Sequence, residues 1–310
     1  MPRQERRVSL RLLPGNLLTR SMISIMLLTA PHGGRHAENR GDEEMSNQNQ
    51  GVAVITGASA GIGKVYADRF AKRGYDLLLV ARRKDRLDVL SKELQEKYGV
   101  KVETLVADLT NYEDLAKVGT TIASNERISV LVNNAGTAVV GPSAQIPIQN
   151  IETLLDLNVR SVTHLSQAIL PGFIKRNSGT LINIGSVLSF FTYPFSTSYS
   201  ATKAHVMLYT IGLRDELANT GVRVQAVLPA STYSEIWEVS GMGVENLDPE
   251  TVMSTDDLVD AALAGLDQGE TVTLPSLEDY SLWEAFDAVR IKMFQAAQTK
   301  NAASRYGLKK

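Results

Sequence analysis

The sequence of 310 residues has no cysteine, four histidines and almost no net charge. The absence of cysteine excludes disulfides, thiolate metal ligands and cysteine nucleophiles. The two later histidines, His164 and His205, are not spaced as metal ligands, so we expect no metal site. The formal net charge of -2 gives no electrostatic reason to expect nucleic acid or a membrane surface as a partner.

A long apolar run is also lacking. The run "MISIMLLTA", residues 22–30, is too short to span a bilayer, which needs about 20 residues. It lies in a basic stretch, since residues 1–36 hold six arginines and one acid, Glu5, a composition typical of targeting segments. No small-x-small cleavage site follows it. Residues 1–44 are therefore interpreted either as a disordered or spurious extension before a start at Met45, or as a targeting or anchoring segment.

From Gly51 onward, short apolar runs alternate with longer stretches of helical period. The predicted strands are 52–56, 76–80, 102–107, 129–134, 179–185, 222–229 and 271–275. The predicted helices are 61–74, 84–98, 111–124, 148–176, 199–219 and 255–268. Continuous apolar strands separated by helices indicate a parallel sheet covered on both faces. We expect an α/β fold with one doubly wound domain over 45–310, and a ligand loop or lid at about 231–254.

The first predicted strand leads into the glycine-rich stretch "TGASAGIG" and then into a helix. Gly57, Gly61 and Gly63 would allow a tight turn and a close approach of the backbone to a pyrophosphate. Their spacing, G-x-x-x-G-x-G, differs from the G-x-G-x-x-G fingerprint, but the strand, turn, helix and next strand follow within about 30 residues. The alternative is a turn that serves only to pack helix on strand.

The end of the second predicted strand reads "LVARRKDRL" and lacks the acid that would bind a ribose 2′-hydroxyl in an NAD site. Arg82 and Arg83 suit a 2′-phosphate instead, because guanidinium groups make charge-assisted bonds to phosphate. NADP(H) is therefore preferred, while NAD(H) is left open. The alternative is a basic, solvated helix start, balanced by Asp85 and Asp88.

The third and fourth predicted strands end in "VADLT" and "NNAG". Asp108 could accept from an adenine amino group or cap the next helix, and the small residues of "NNAG" would let the backbone lie against the cofactor. The full predicted cofactor-binding set is Thr56, Gly57, Ser59, Gly61, Ile62, Gly63, Arg82, Arg83, Asp108, Leu109, Asn134, Ala135, Gly136, Tyr199, Lys203, Pro229 and Thr232.

Together these motifs resemble the classical type of the short-chain dehydrogenase/reductase family over residues 51–230. The resemblance also includes "LNV" with Asn158, "IGS" with Ser186 and "YSATK" with Tyr199 and Lys203. It implies a seven-stranded Rossmann sheet and hydride transfer between a nicotinamide and a carbonyl or alcohol. It further implies that Asn158 holds a water linking Lys203 to solvent and that Lys203 binds ribose hydroxyls. The implied assembly is a homodimer or homotetramer through 157–176 and 200–219, and we expect a cytoplasmic protein.

The catalytic set also has a physical rationale. A ketone that accepts hydride becomes an alkoxide, so the site needs a proton donor near its oxygen. Tyrosine has a pKa near 10, and a lysine one helical turn away would favour the phenolate, as would an oxidised nicotinamide. Ser186, thirteen residues before Tyr199, could donate to the same oxygen. The predicted catalytic residues are therefore Asn158, Ser186, Tyr199 and Lys203.

The stretch "VLSFFTYPFS", residues 187–196, is the predicted pocket wall. Its four aromatic residues suggest an apolar carbonyl or alcohol substrate, although they could equally serve core or oligomer packing. Trp237 could close over this pocket. Ala230 stands where the family often has glycine, and it restricts the backbone there. A non-catalytic NADP-binding sensor or scaffold on the same fold is the alternative function.

Overall fold

The structure is a computed structural model that describes residues 50–240, 243 and 247–308. These residues belong to one compact unit, Asn47–Lys310. The predicted N-terminal extension, 1–44, lies outside the described residues, as do parts of the predicted loop at 241–242 and 244–246.

Seven parallel strands form one sheet in the order β3-β2-β1-β4-β5-β6-β7, which confirms the predicted architecture. They are β1 Val52–Thr56, β2 Asp76–Ala81, β3 Val102–Val106, β4 Ile128–Asn133, β5 Gly179–Ile184, β6 Val222–Val227 and β7 Val272–Thr273. The strand order reverses between β1 and β4. In open α/β sheets, ligands bind at the carboxyl ends of the strands beside such a switch point.

The helices connect successive strands. They are α1 Gly61–Lys72, α2 Lys84–Tyr98, α3 Tyr112–Ser124, α4 Ile148–Leu155, α5 Ser161–Arg176, α6 Thr197–Glu216, α7 Ile236–Val239, α8 Thr255–Asp267 and α9 Ser281–Ala297. None of the helices within the described ranges is long and apolar enough to cross a membrane.

Two apolar layers cover the sheet. Ala53 and Ile55 of β1 face a layer that includes α1, α2 and α8, whereas Val52 and Val54 face a layer that includes α3, α5 and α6. All five residues of β1 are buried. Burial on both faces explains why the strands read as continuous apolar runs rather than as alternating ones.

The structure differs from the predicted helices at three places, one of which is the short helix α7 within the predicted loop at about 231–254. The predicted helix 148–176 contains a π-helical turn, Asp156–Arg160, between α4 and α5. Helix α9 was not predicted. It is anchored by the buried Trp283, which packs in a small cluster with Met207 and Leu228. Most of the other apolar residues of α9 are exposed.

Candidate active site

The glycine-rich turn after β1 has the geometry expected of a phosphate site. Gly57 and Gly61 have φ angles of 67° and 52°, which favour glycine. A Cβ at Gly63 would lie 2.4 Å from the Gly57 carbonyl oxygen, so this glycine lets α1 pack on the turn. Helix α1 begins after Ala60 without a side-chain cap among the described residues. Its first N–H groups are therefore available to an anion.

The turn is locked to the end of β4. The Thr56 hydroxyl accepts hydrogen bonds from the backbone N–H groups of Asn134 and Ala135, each at 3.0 Å. The Asn134 side chain donates to the Thr56 carbonyl oxygen at 2.9 Å. These bonds give Thr56 and Asn134 a positioning role, because they hold the adjoining ends of β1 and β4 together.

Ile62 and Leu109, both in the predicted cofactor-binding set, have packing roles. Ile62 lies against the apolar layer of α1, α2 and α8, and Leu109 is buried in the opposite layer. Their side chains therefore support the turns on which they lie.

The two predicted arginines have different surroundings. Arg83 donates to the Ser59 hydroxyl from Nε at 3.2 Å and from Nη2 at 3.0 Å, so it reaches the glycine turn. Its Nη1 donates to Glu235 at 2.7 Å. Arg82 is 70% exposed, and its Nη1 lies 3.9 Å from a carboxylate oxygen of Asp108. Arg83 is thus the better placed of the two for a 2′-phosphate.

Asp108 does not cap helix α3. The capping residue is Asn111, whose side chain accepts from the backbone N–H groups at 113 and 114. Asp108 instead accepts from the Thr110 backbone N–H at 3.0 Å and from its hydroxyl at 2.8 Å. The adenine contact of Asp108 stays a prediction.

Three of the predicted catalytic residues lie together at the carboxyl end of β5. Ser186 follows β5, accepts from the Leu188 backbone N–H at 3.1 Å and lies close enough to the Tyr199 phenol to lower its pKa. Lys203, one turn after Tyr199 on α6, is buried and donates to the Ile184 carbonyl oxygen at 2.9 Å. Its Nζ is 5.7 Å from the centre of the Tyr199 ring.

Burial dominates the ionisation of this pair. Desolvation raises the pKa of Tyr199 to about 12, although the nearby Ser186 side chain acts in the opposite direction. Desolvation also lowers the pKa of Lys203 to about 8. We expected Lys203 to favour the phenolate and so to lower the pKa of Tyr199. In the chain without cofactor, the pKa of Tyr199 is raised instead. At pH 7 the phenol is therefore protonated and can act as a proton donor.

Asn158 lies in the π-helical turn, buried beside this group. Its side-chain oxygen accepts from the Thr137 backbone N–H at 2.9 Å, and its amide donates to the Thr137 carbonyl oxygen at 2.9 Å and the Thr202 hydroxyl at 3.1 Å. A Cβ at Gly136 would lie 3.3 Å from the Asn158 side-chain oxygen and 3.6 Å from Lys203 Nζ. The Asn158 side chain thus fixes the segment after β4 next to Lys203. The implied water stays a prediction.

A buried row of polar side chains was missed from the sequence. Asn133 of β4 donates to Ser166 at 3.1 Å and to Asn183 of β5 at 2.9 Å, and Asn183 donates to Thr210 at 2.9 Å. The row joins β4 and β5 to α5 and α6, so it fixes the helix that carries Tyr199. The signal was available, because Asn133 and Asn183 are unusual polar residues at the ends of two apolar strands.

The end of β6 accommodates Ala230 without strain. Asn177 and Phe195 are the only non-glycine residues with positive φ among those described, so Ala230 does not need glycine's freedom. Thr232 is buried and donates to the Ala230 carbonyl oxygen at 3.1 Å, and the Pro229 carbonyl oxygen accepts from the Val187 backbone N–H at 2.9 Å. Pro229 thereby joins the end of β6 to the segment after Ser186.

The aromatic residues of the predicted pocket wall divide into two groups. Phe190 packs against Trp283 and Phe286 of α9, with ring centroids 6.4 and 5.6 Å apart. Phe191 and Tyr193 contact each other edge to face and are more exposed. Trp237 donates from its indole N–H to the Thr232 carbonyl oxygen at 2.8 Å. The closing role of Trp237 stays a prediction.

Comparison with solved structures gives close matches to two enzymes. A short-chain dehydrogenase from Sphingobium yanoikuyae, in complex with NADPH, is 45% identical, with a TM-score of 0.80 over 83% of this chain and 100% of that one. A bulky-bulky ketone specific alcohol dehydrogenase from Comamonas testosteroni is 41% identical, with a TM-score of 0.77 over 84% of this chain and 99% of that one.

Among curated proteins, the very-long-chain 3-oxoacyl-CoA reductase of Anas platyrhynchos is 35% identical over 203 residues, 64% of this chain. This chain spans 65% of the length of that relative. The family model for short chain dehydrogenases matches residues 51–242. The chain therefore belongs to the short-chain dehydrogenase family.

Proposed function

We propose that this chain is an NADP(H)-dependent reductase of bulky apolar ketones, with Tyr199 as the general acid. The observation that carries the proposal is the convergence of Ser186, Tyr199 and Lys203 at the carboxyl end of β5. This end of the sheet also carries the glycine turn after β1, because all seven strands run parallel.

Tyr199, Ser186 and Lys203 have separate roles in the proposed reaction. When bound, NADPH supplies the hydride. Tyr199 is neutral at pH 7, since its pKa lies near 10 in the free residue and burial raises it to about 12, and it transfers its proton to the oxygen that gains negative charge. Ser186 lies beside the same phenol and is placed to donate to that oxygen as well. Lys203, whose ammonium is held by the Ile184 carbonyl, is placed to bind the ribose beside Tyr199.

The preference for NADP(H) rests on Ser59 and Arg83. Together they place a hydroxyl and a guanidinium at the glycine turn, on the side of β2 where a 2′-phosphate would lie. The NADPH complex of the Sphingobium relative supports this preference. NAD(H), which lacks the 2′-phosphate, would not use these donors in this way.

The substrate class rests on the exposed rings of Phe191 and Tyr193, which follow Ser186 in the chain. Apolar, aromatic surfaces bind apolar groups on both sides of a carbonyl better than they bind charged substrates. The bulky-bulky ketone specificity of the Comamonas relative supports this class. A 3-oxoacyl thioester is the second candidate, favoured by the reductase of Anas platyrhynchos.

The proposal includes a cytoplasmic homodimer or homotetramer. Ile174 on α5 and Leu208 on α6 are about half exposed, which supports packing of copies through these helices. Light scattering of the purified chain tests the assembly. Fractionation of cells that express the natural gene tests the location.

The function is tested by NADPH oxidation with a panel of carbonyl compounds. The panel contains a diaryl ketone, an aryl alkyl ketone, acetone and a 3-oxoacyl-CoA. We expect kcat/KM for the aryl ketones to exceed that for acetone by about 10²-fold or more, because only they fill an apolar pocket. Faster reduction of the 3-oxoacyl-CoA than of any ketone would mean that 3-oxoacyl thioesters, and not apolar ketones, are the substrate class. Absence of NADPH oxidation with every compound, despite NADPH binding, would favour the sensor or scaffold.

A further inference from the structure

A carboxylate from a distant part of the chain lies on the arginines after β2. Glu235, which precedes α7, accepts from Arg83 Nη1 at 2.7 Å and from Arg86 Nη1 at 2.5 Å. Hydrogen bonds from Arg86 and then Arg83 lower the pKa of Glu235, so its side chain is an anion at pH 7. An anion from the loop after β6 thus occupies donors at the cofactor end of β2.

The same loop segment lies over the glycine turn. A Cβ at Gly61 would lie 3.6 Å from Cβ of Ser234, the residue before Glu235. The segment is held at its base, because Thr232 forms a parallel bridge with Met253, and the Tyr233 backbone N–H donates to the Met253 carbonyl oxygen at 3.1 Å. Beyond this base, Glu235 is the side chain that ties the segment to the arginines.

The Arg83 guanidinium cannot serve two anions equally well. Its Nε and Nη2 reach Ser59, on the glycine turn, while its Nη1 reaches Glu235. A phosphate next to Ser59 would seek the same guanidinium, because Arg binds phosphate through two parallel N–H donors. Because both anions would contact the same guanidinium, the Glu235 carboxylate and such a phosphate would also repel each other.

We propose that Glu235 is a specificity-determining residue, which competes with the 2′-phosphate of NADP(H) for Arg83 and ties the loop 231–240 to the cofactor site until that phosphate displaces it. The inference rests on the proposed function, since it assumes that Arg83 binds the 2′-phosphate. NADPH binding then releases Glu235, whereas NADH, which lacks the phosphate, leaves the carboxylate in place.

Competition predicts a gain of affinity when the carboxylate is neutralised. Glu235→Gln should lower the Kd for NADPH by about threefold to tenfold, because the displaced ion pairs are partly exposed and contribute modestly. The Kd for NADH should stay within about twofold, since no phosphate competes there. The matched control is Glu238→Gln, which removes the same charge one turn later from a side chain without an ion pair among the described residues.

Release of the loop predicts a signal from Trp237, two residues after Glu235 and one of two tryptophans in the chain. Binding of 2′,5′-ADP, which carries the 2′-phosphate without a nicotinamide, should change the tryptophan emission. Binding of 5′-AMP should not. The change should be absent in Trp237→Phe, which retains Trp283, and much smaller in Glu235→Gln, where the loop is already released.

Calorimetric titration of NADPH and NADH into the wild type and the two glutamate variants separates the proposals. If neither the wild type nor Glu235→Gln binds NADPH more tightly than NADH, the 2′-phosphate role of Arg83 fails. If the wild type prefers NADPH but Glu235→Gln binds it no tighter than the wild type does, competition by Glu235 is overturned while the proposed function stands. Tighter NADPH binding by Glu235→Gln, but not by Glu238→Gln, supports the inference.

Discussion

The proton-transfer site and the aromatic segment that follows it are adjacent in the chain but are held in different ways. Ser186 and Lys203 are buried, and each has a hydrogen bond to the backbone, Ser186 in the turn after β5 and Lys203 at the end of β5. Phe191 and Tyr193, only a few residues after Ser186, are more than half exposed and contact mainly each other. The proposed catalytic side chains therefore belong to the core, whereas the proposed substrate surface lies outside it.

This difference explains why one part is specific and the other adaptable. Displacing a buried, hydrogen-bonded side chain leaves unsatisfied polar groups, so the proton donor and its neighbours have one arrangement. An exposed ring can change rotamer, or be replaced by another residue type, without leaving a polar group unsatisfied. We expect substitutions in the buried site to abolish the reaction and substitutions in the aromatic segment to change which ketone reacts.

The largest effect is expected at Tyr199. Tyr199→Phe removes the proton donor but retains the ring, so kcat for ketone reduction should fall by about 10³-fold. The Kd for NADPH should change little, since the phenol contributes mainly to chemistry. Steady-state kinetics and calorimetry on the same preparation check both values. A variant with wild-type kcat would show that another group supplies the proton.

A smaller effect, on stability, is expected at Lys203. The unfolded lysine, with a pKa of 10.5, holds its proton to higher pH than the buried one, with a pKa of about 8. Between these values the unfolded chain binds more protons, so stability rises with pH there and falls as pH drops through 8. From pH 7 to pH 9.5 the wild type should gain about 2 kcal/mol relative to Lys203→Met.

Urea unfolding of the cofactor-free wild type and Lys203→Met at both pH values measures this gain. Other titrating groups, including the tyrosines, are common to both proteins and cancel in the difference. A stability difference that is the same at pH 7 and pH 9.5 would mean that Lys203 is not desolvated.

The two arginines offer a comparison within the cofactor site. Arg83→Gln should raise KM for NADPH by about tenfold or more, because a charge-assisted bond to phosphate is lost. Arg82→Gln, which changes a side chain that is 70% exposed, should raise it by about threefold or less. KM for NADH serves as the control and should not rise in either variant. A larger effect at Arg82 than at Arg83 would reverse the assignment.

The smallest effects are expected in the aromatic segment. Phe191→Ala should lower kcat/KM for a bulky aryl ketone by about threefold to tenfold and leave acetone unaffected. Phe190→Ala should instead lower the free energy of unfolding by about 1–2 kcal/mol, because Phe190 packs partly buried against α9. Thermal unfolding and kinetics on both variants separate the two roles. Equal substrate effects would place both rings in the pocket.

Much of the fold was predictable because it follows from local patterns. Burial on both faces makes a parallel strand continuously apolar, as the five buried residues of β1 illustrate. The tight turn at Gly57 and Gly61 was predictable, because glycine readily adopts the positive φ angles that both residues have. The proximity of Tyr199 and Lys203 was predictable because one helical turn separates them, and Ser186 was added by the resemblance to the family; their catalytic roles stay a prediction.

The remainder depends on contacts that no local pattern encodes. Glu235 lies about 150 residues from the arginines it binds, and nothing in its neighbourhood in the chain indicates that contact. The direction in which the pKa of Tyr199 shifts could not be predicted, because it is set by burial of the phenol, which depends on tertiary packing. Helix α9 was missed because one buried residue, Trp283, anchors it while its other apolar residues stay exposed.

A crystal structure with NADPH bound tests the central claim most directly, namely that Tyr199 is the proton-transfer end of a hydride-transfer site. We predict the nicotinamide ring beside Tyr199, with room for a carbonyl group whose oxygen lies about 3 Å from the phenol. The ribose next to it should contact Lys203. A nicotinamide turned away from Tyr199, so that no carbonyl could reach both the ring and the phenol, would contradict the account.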